Sequence, residues 1–184
     1  KLFCGGGDLK FLLSKQEKVK QTLLEMTHYF HGAIARMTRM EAPVIIGING
    51  TAGGGGFSLA ITGDIIYAVK DAKFTLAYTN AGLSPDGSST YYLPRIVGIK
   101  RAKELMLTNR LFSAEEAHDM GLIDLVVNSN EELNEALNTQ AEVFSKGPIN
   151  AYKSVKKLLN ESFHNSLETQ MEMESVHISK NAES

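Results

Sequence analysis

The sequence predicts an α/β fold in which strands lie in the first part of the chain and helices fill the rest. Two observations carry this prediction. Short apolar runs rich in β-branched residues are typical of buried parallel strands, and they alternate with helical patterns up to residue 127. Beyond that point apolar residues recur only every three or four positions, which indicates amphipathic helices.

The predicted elements follow in chain order. Residues 19–37 form a long amphipathic helix, because apolar side chains recur there at steps of three and four. Pro43 opens an apolar run over 44–48 that predicts a buried strand. Ser113 with Glu116 three residues later is a capping-box pattern that predicts the start of another helix. The remaining predictions are strands over 65–68, 73–77 and 122–127, and helices over 57–61, 133–144 and 151–163.

Length and composition limit the class of protein. A chain of 184 residues with 43% hydrophobic residues can bury a substantial core. Its 19 basic and 21 acidic residues leave a formal net charge of −2, so we expect no nucleic-acid partner. No apolar run approaches the roughly 20 residues of a membrane span, so no membrane partner is expected either.

The cysteine count and the first residues bear on the cellular compartment. The lone cysteine, Cys4, excludes an internal disulfide framework and a cysteine-based zinc cage, and it fits a reducing compartment. We therefore expect a cytoplasmic location and no metal. The chain opens without methionine on Lys1-Leu2-Phe3, a pattern typical of the end of a strand. A preceding segment is expected from this pattern, and any targeting peptide would lie on it.

Glycines concentrate in two places, each after a strand-like run and before a helix. Gly5, Gly6 and Gly7 form the first cluster, and residues 53–56 are four consecutive glycines. Each glycine costs roughly 0.5–1 kcal/mol against alanine in a regular element, so their use is close backbone approach or positive φ. Loops between a strand and a helix direct unpaired N–H groups outward. The clusters are either two tight turns or the source of one N–H each for a shared oxygen.

The spacing of the residues excludes two other kinds of glycine-rich site, and a third kind remains as an alternative. No Gly-Lys-Ser/Thr follows either cluster and no glycines fall at i, i+2 and i+5, which excludes a P-loop and a dinucleotide fingerprint. The segment Gly56-Phe57-Ser58-Leu59-Ala60 departs from the G-x-S-x-G nucleophile elbow at its last residue. A serine hydrolase with Ser58 as its nucleophile therefore stays open.

Two segments of the chain carry signatures that are specific enough to compare with a known family. They are FCGGGDLK at 3–10 and PVIIGINGTAGGGGFSLAITGDIIYA at 43–68. Both resemble signatures of the enoyl-CoA hydratase/isomerase (crotonase) family, and the resemblance extends over essentially the whole chain. It implies a crotonase-like ββα-superhelix spiral core over 1–126, with its first strands before Lys1. It also implies a C-terminal helical trimerisation region over 127–184.

The resemblance gives the glycine clusters a role. In that family, two backbone N–H groups polarise the thioester carbonyl of an acyl-CoA. Matched residue by residue, these groups belong to Gly7 and Gly55. A proton leaves the carbon beside a thioester only if the resulting enolate oxygen is stabilised, and a donor aimed at that charge is worth about 3–4 kcal/mol.

The acid–base residues depart from the hydratase pattern. Hydratases of the family carry two glutamates where this chain has Ser58 and Tyr78. Neither side chain replaces a carboxylate as a base near neutral pH. Asp86 stands where several isomerases of the family carry their catalytic aspartate and where a related dehalogenase carries its nucleophile. A Pro-Asp-Gly turn is the plainer interpretation of Asp86, but the glycine match favours catalysis.

The resemblance also implies the residues that contact substrate. Asp8 is expected to cap or orient the first glycine loop, and Lys1 either meets the phosphates of coenzyme A or lies free on the surface. Ser58 and Tyr78 either line the acyl pocket or are satisfied buried hydroxyls. His31 is placed on the polar side of the first long helix, without a role. The implied contacts are Gly5, Gly6, Asp8, Leu9, Gly54, Ser58, Tyr78 and Lys1.

The leading hypothesis is an acyl-CoA enzyme that shifts a double bond or a ring. In this hypothesis Gly7 and Gly55 hold the thioester enolate and Asp86 shuttles the proton. Coenzyme A is part of the substrate, so no separate cofactor is expected, and the family implies a homotrimer or a dimer of trimers. The alternatives are a 2-enoyl-CoA hydratase, a non-catalytic acyl-CoA binder and the serine hydrolase.

Overall fold

A computed structural model describes residues 1–183 of the chain. Within that range the strands are β1 (Leu2–Cys4), β2 (Ile45–Ile48), β3 (Thr51–Gly53), β4 (Ile65–Val69), β5 (Lys73–Thr75), β6 (Phe112–Ser113) and β7 (Leu125–Val127). The α-helices are α1 (Leu9–Leu13), α2 (Val19–Arg39), α3 (Gly55–Ala60), α4 (Ser89–Val97), α5 (Ile99–Thr108), α6 (Ala114–Asp119), α7 (Asn130–Lys146), α8 (Ile149–Glu161) and α9 (Leu167–Asn181).

The strands form two sheets, and the first five strands alternate between them. One sheet has the order β1-β3-β5-β6, and the other has the order β2-β4-β7. All pairs are parallel except β5 with β6, and β2 lies in register with β4 from Ile45 opposite Ile65 to Ile48 opposite Ala68. The chain therefore winds back and forth between two sheets, and the predicted α/β class is confirmed.

The core is built around three phenylalanines that are almost fully buried. The ring centroids of Phe74 and Phe112 lie 5.5 Å apart in a stacked pair. Phe57 of α3 meets both rings edge-on, at 6.3 Å from Phe74 and 5.9 Å from Phe112. Burying each ring contributes about 1.5–3 kcal/mol, so this cluster fixes α3 against the first sheet.

Lys156 of α8 ties the C-terminal helices to the core. Its ammonium donates to the carbonyl oxygens of Met37 at 2.9 Å and Ala42 at 3.2 Å, and to the Asp64 carboxylate at 2.6 Å. Asp64 also accepts from the Val44 amide at 2.7 Å. One lysine therefore holds the end of α2, the start of β2 and the turn before β4 together.

Most predicted elements are confirmed within a few residues, and two strands are shorter than predicted. The strand predicted over 73–77 ends at Thr75. The strand predicted over 122–127 begins only at Leu125. The Leu122 amide instead donates to the Ala117 carbonyl oxygen at 2.9 Å, which closes the end of α6. Asp124 then meets Ile66 of β4 twice: its amide donates to the Ile66 carbonyl oxygen at 2.8 Å, and its carboxylate accepts from the Ile66 amide at 2.7 Å. The division at residue 126 stays a prediction.

Short polar side chains cap the starts of α6 and α1. Ser113 Oγ accepts from the Glu116 amide at 3.1 Å at the start of α6, as the capping pattern predicts. Asp8 does the same for the Phe11 amide at 2.9 Å at the start of α1. Over residues 1–183, none of the helices combines the length and the apolar character that crossing a membrane requires.

Candidate active site

A cavity of about 480 Å³ lies where the two glycine loops meet. Most of its wall is apolar, with side chains from α1, α2 and the segment after Tyr78. The few polar side chains in the wall include Tyr78 and Asp86. A concave, mostly apolar cavity with a few convergent polar groups is typical of a small-molecule site. The apolar lining consists of Leu9, Leu12, Leu23, Met26, Phe30, Ala81 and Leu83.

The two glycine loops touch because the strands before them are neighbours. β1 and β3 pair in parallel, so the loops that follow them leave the sheet at the same edge. Gly6 has a φ of +84°, and a Cβ on it would lie only 2.6 Å from the Gly55 nitrogen. Only glycine allows this approach, because the clash would be with backbone and the φ value is unfavourable for any side chain.

Gly7 and Gly55 both line this cavity, together with Gly5, Gly6 and Gly54. Gly55 is the first residue of α3, where amides have no partner inside the helix. Its cap residue Gly54 makes no side-chain hydrogen bond to the helix end. The loops therefore place the two glycines that the resemblance assigned to the thioester oxygen on one cavity wall.

Asp86 is fixed through both its backbone and its carboxylate. Its carbonyl oxygen accepts hydrogen bonds from the hydroxyls of Ser58 and Ser89, each at 2.9 Å. Its Oδ1 accepts from the Tyr78 hydroxyl at 2.6 Å. The side chain is 27% exposed and lines the cavity. The next residue, Gly87, packs so tightly that a Cβ would lie 2.3 Å from the Phe30 ring. The carboxylate is thus held at the cavity wall.

Tyr78 reaches Asp86 because the chain turns sharply after β5. Ala77 has a φ of +56°, an uncommon value for a residue with a side chain, and it also lines the cavity. Burial raises the pKa of the Tyr78 hydroxyl, and the hydrogen bond to Asp86 raises it further. The hydroxyl therefore stays protonated near neutral pH and acts as a donor to the carboxylate.

Ser58 does not contact the cavity, which corrects its predicted substrate contact. It is fully buried on α3, and its hydroxyl lies 2.8 Å from the Tyr78 hydroxyl and 2.9 Å from the Asp86 carbonyl oxygen. Of the two interpretations of this side chain, the satisfied buried hydroxyl is the right one. The serine-hydrolase alternative loses its nucleophile for the same reason, because a buried and hydrogen-bonded Ser58 meets no substrate.

Lys1 lies outside this cavity. Its exposed ammonium donates to Asn130 Oδ1 at 3.0 Å, at the start of α7. A contact of Lys1 with the phosphates of coenzyme A stays a prediction. Asp8 and Leu9 do line the cavity, and Asp8 caps α1 as expected.

His31 belongs to the site, although sequence analysis assigned it no role. Its Nε2 atom lies 3.4 Å from Asp86 Oδ2 and accepts from the Gly87 amide at 3.2 Å. It sits on α2 one residue after Phe30, whose ring lines the cavity. The available signal was the helical register of Thr27, which lines the cavity and lies four residues before His31 on the same face of α2.

Comparison with known proteins gives the family. The model of the enoyl-CoA hydratase/isomerase family matches residues 1–184. The chain belongs to this family. Among solved structures, an enoyl-CoA hydratase from Polaromonas sp. JS666 is 33% identical, with a TM-score of 0.91 over 98% of this chain and 70% of that one. An enoyl-CoA hydratase from Bacillus anthracis is 30% identical, with a TM-score of 0.88 over 97% of this chain and 68% of that one. The fold is the crotonase fold.

The curated relatives carry different activities. The 1,2-epoxyphenylacetyl-CoA isomerase of Escherichia coli K12 is 33% identical over 94% of this chain and 66% of its own length. A 4-chlorobenzoyl coenzyme A dehalogenase of an Arthrobacter species is 34% identical over 79% and 52%. The crotonyl-CoA hydratase of Syntrophomonas wolfei is 33% identical over 94% and 68%. The chain thus spans between half and about two thirds of the relatives it matches.

Proposed function

We propose that this chain forms the reaction centre of an acyl-CoA isomerase that moves a double bond or opens a ring by proton transfer. The observation that carries the proposal is the carboxylate of Asp86. It lines the cavity on which both glycine loops converge, and Tyr78 orients it. A single positioned carboxylate beside an oxyanion site is sufficient for a proton shuttle.

The thioester oxygen is assigned to the amides of Gly7 and Gly55. Charge develops on that oxygen when a proton leaves the neighbouring carbon, and the low polarity of the cavity wall strengthens each donor. A side chain on either loop would hinder a close approach of the backbone. Losing one such donor costs about 10²–10³ in turnover.

The proposed reaction conserves every proton. Asp86 takes a proton from Cα of a 3-enoyl-CoA, and the electron pair of that bond moves into the thioester as a dienolate. Asp86, now a carboxylic acid, returns a proton to Cγ while the dienolate collapses to the 2-enoyl-CoA. The carboxylate is regenerated, and water takes no part in the overall reaction.

The geometry favours isomerisation over hydration. A hydratase of this family positions water between two glutamates, and the residues at those positions are Ser58 and Tyr78. Ser58 is fully buried, and the pKa of Tyr78 is raised by burial, so neither supplies a base. Asp86 is left as the carboxylate beside the assigned oxyanion site.

The substrate class and the assembly complete the proposal. A related structure from Thermobifida fusca YX, 30% identical with a TM-score of 0.81, is in complex with CoA, which supports an acyl-CoA substrate. Coenzyme A is part of that substrate in this proposal, which includes no separate cofactor. The C-terminal helices expose Leu159, Phe163, Leu167 and Ile178. We assign these side chains to contacts between subunits of a homotrimer or a dimer of trimers. The free thiol of Cys4 is consistent with a cytoplasmic location.

The test is a panel of three acyl-CoA substrates with the wild-type protein and Asp86→Asn. The panel contains a 3-enoyl-CoA, a 2-enoyl-CoA and 4-chlorobenzoyl-CoA, so isomerisation, hydration and dehalogenation are measured side by side. We expect isomerisation to dominate and to fall about 10²–10⁴-fold in Asp86→Asn. Dominant hydration or dehalogenation, CoA binding without turnover, or undiminished isomerisation by the variant would each overturn the proposal.

A further inference from the structure

Asp86 lies between two cavities and is contacted from both sides. Its carboxylate lines the 480 Å³ cavity assigned to the acyl group. Its Oδ2 atom is 3.4 Å from Nε2 of His31, and His31 lines a second cavity of about 800 Å³ between α2, α4 and α8. The His31 side chain is 52% exposed, whereas that of Asp86 is 27% exposed. The imidazole thus connects the enclosed carboxylate with water.

The Nε2 atom of His31 has two neighbours that require opposite protonation states of this nitrogen. The Gly87 amide donates to it at 3.2 Å, which needs an unprotonated nitrogen. The Asp86 carboxylate at 3.4 Å is an acceptor, which favours a protonated nitrogen. One nitrogen cannot satisfy both at once. Protonation of Nε2 therefore replaces the contact with the Gly87 amide by one with the Asp86 carboxylate, and the imidazole needs to move little.

The wall of the second cavity has a larger polar share than that of the first. Its basic side chains besides His31 are Arg39, Lys153, Lys156, Lys157 and His164. Its acidic and phenolic side chains are Glu41, Glu161, Tyr91 and Tyr92. Several of these groups are paired with one another or with neighbours, as in the contact of Lys153 with Glu41 and that of His164 with Tyr91. A cavity with this lining holds water, and water exchanges protons with an exposed imidazole.

We infer that His31 is a relay residue that exchanges the proton on Asp86 with water in the second cavity during turnover. The inference rests on the proposed isomerase function. When Asp86 has taken the Cα proton, its carboxylic acid passes that proton from Oδ2 to Nε2 of neutral His31. The resulting imidazolium exchanges its ring protons with water and returns a solvent proton to Asp86. Asp86 then delivers that proton to Cγ, so the reaction stays balanced.

The origin of the Cγ hydrogen tests the relay. The wild-type protein converts an unlabelled 3-enoyl-CoA in D2O, and the ratio of deuterium to protium at Cγ of the product is measured by mass spectrometry and NMR. Wild-type product should carry mainly deuterium. In His31→Gln the glutamine oxygen can still accept from the Gly87 amide but cannot carry a proton, so the ratio should fall about tenfold. An unchanged ratio in a folded His31→Gln overturns the relay.

Two further readouts separate the relay from a structural role. His28→Gln, on the exposed surface of the same helix, should leave the ratio unchanged. Imidazole added to His31→Gln should restore deuterium at Cγ. A fall in His28→Gln or no rescue by imidazole would each contradict the relay.

The relay and the proposed function fail in different ways. If the wild-type protein isomerises and His31→Gln shows the wild-type ratio, the isomerase stands and the relay is wrong. If the wild-type protein does not isomerise, the proposed function is wrong. The relay is then measured by exchange of the α protons of a saturated acyl-CoA into D2O. That exchange should fall about tenfold in His31→Gln, and equal exchange would overturn the relay.

Discussion

The Tyr78 hydroxyl donates a 2.6 Å hydrogen bond to Oδ1 of Asp86, eight residues further along the chain. This bond joins the two ends of a loop that closes one side of the cavity. Tyr78 stands at a position where hydratases of the family carry a glutamate, so the same place in the fold holds a donor instead of a base. The bond thus fixes the orientation of the Asp86 carboxylate, while the other carboxylate of the cavity wall, that of Asp8, caps α1.

Replacing Tyr78 by phenylalanine should reduce turnover and leave substrate affinity nearly unchanged. A hydrogen bond to a charged group contributes about 1.5–3 kcal/mol, so kcat should fall roughly 10–100-fold. KM should change little, because the ring remains and keeps the cavity wall in place. Steady-state kinetics with a 3-enoyl-CoA measures both constants. A loss confined to KM would show that Tyr78 binds substrate rather than orienting Asp86.

The raised pKa of Tyr78 predicts how the stability and the absorbance of the protein change at alkaline pH. Since the folded state holds the phenol proton more tightly than the unfolded chain, the resulting stability is fully present below pH 10. It is lost progressively as the pH rises from about 10 through the higher pKa of the folded state. When the wild type and Tyr78→Phe are titrated from about pH 9 to 11, their tyrosinate absorbance curves should therefore coincide. An extra ionisation near pH 10 in the wild type would contradict this.

Gly6→Ala should abolish turnover, because the added Cβ would lie 2.6 Å from the Gly55 nitrogen and the φ of +84° disfavours a side chain. The two loops must then move apart, which separates the donors assigned to the thioester oxygen. Gly32→Ala is the matched control, since nothing lies within 4 Å of its added Cβ on α2. We expect it to keep turnover and to raise the free energy of unfolding by about 0.5–1 kcal/mol.

Urea unfolding and a turnover assay on the same preparations distinguish the two glycine variants. Full turnover by Gly6→Ala would show that the first loop tolerates a side chain. The close approach of the loops would then have no catalytic meaning.

Lys156→Met should lower the free energy of unfolding by about 2–4 kcal/mol, because three oxygen acceptors lose a nearly buried donor. Lys146→Met is the control. Its contact with Glu142 is an exposed pair within α7, and we expect a change below about 0.5 kcal/mol. Chemical denaturation of both variants provides the comparison. Equal effects of the two substitutions would show that Lys156 does not tie α8 to the core.

The sequence predicted the parts of the site that are carried by local motifs. The glycine loops could be predicted because consecutive glycines have no use inside a helix or strand. Asp86 lies in a turn signal of Pro, Asp and Gly next to a long helical stretch. The local patterns alone also allowed tight turns at these places, and the roles of Gly7, Gly55 and Asp86 were assigned through the resemblance to the enoyl-CoA hydratase/isomerase family.

The contacts that sequence reasoning missed depend on residues far apart in the chain. His31 and Gly87 are 56 positions apart and meet only through the packing of α2 against the loop before α4. In the sequence Ser58 is a candidate nucleophile. In the structure Phe57 packs against Phe74 and Phe112, which holds α3 in the core and buries Ser58. Neither burial nor the approach of two elements is encoded in a local pattern, so both needed the structure.

A crystal structure with a bound enoyl-CoA is the most direct measurement of the central claim. We predict the thioester oxygen at roughly 2.7–3.1 Å from the amide nitrogens of both Gly7 and Gly55. An Asp86 carboxylate oxygen should lie about 3–3.5 Å from the carbons that exchange the proton. A thioester oxygen bound away from these amides, or an acyl chain that leaves Asp86 out of reach, would contradict the account.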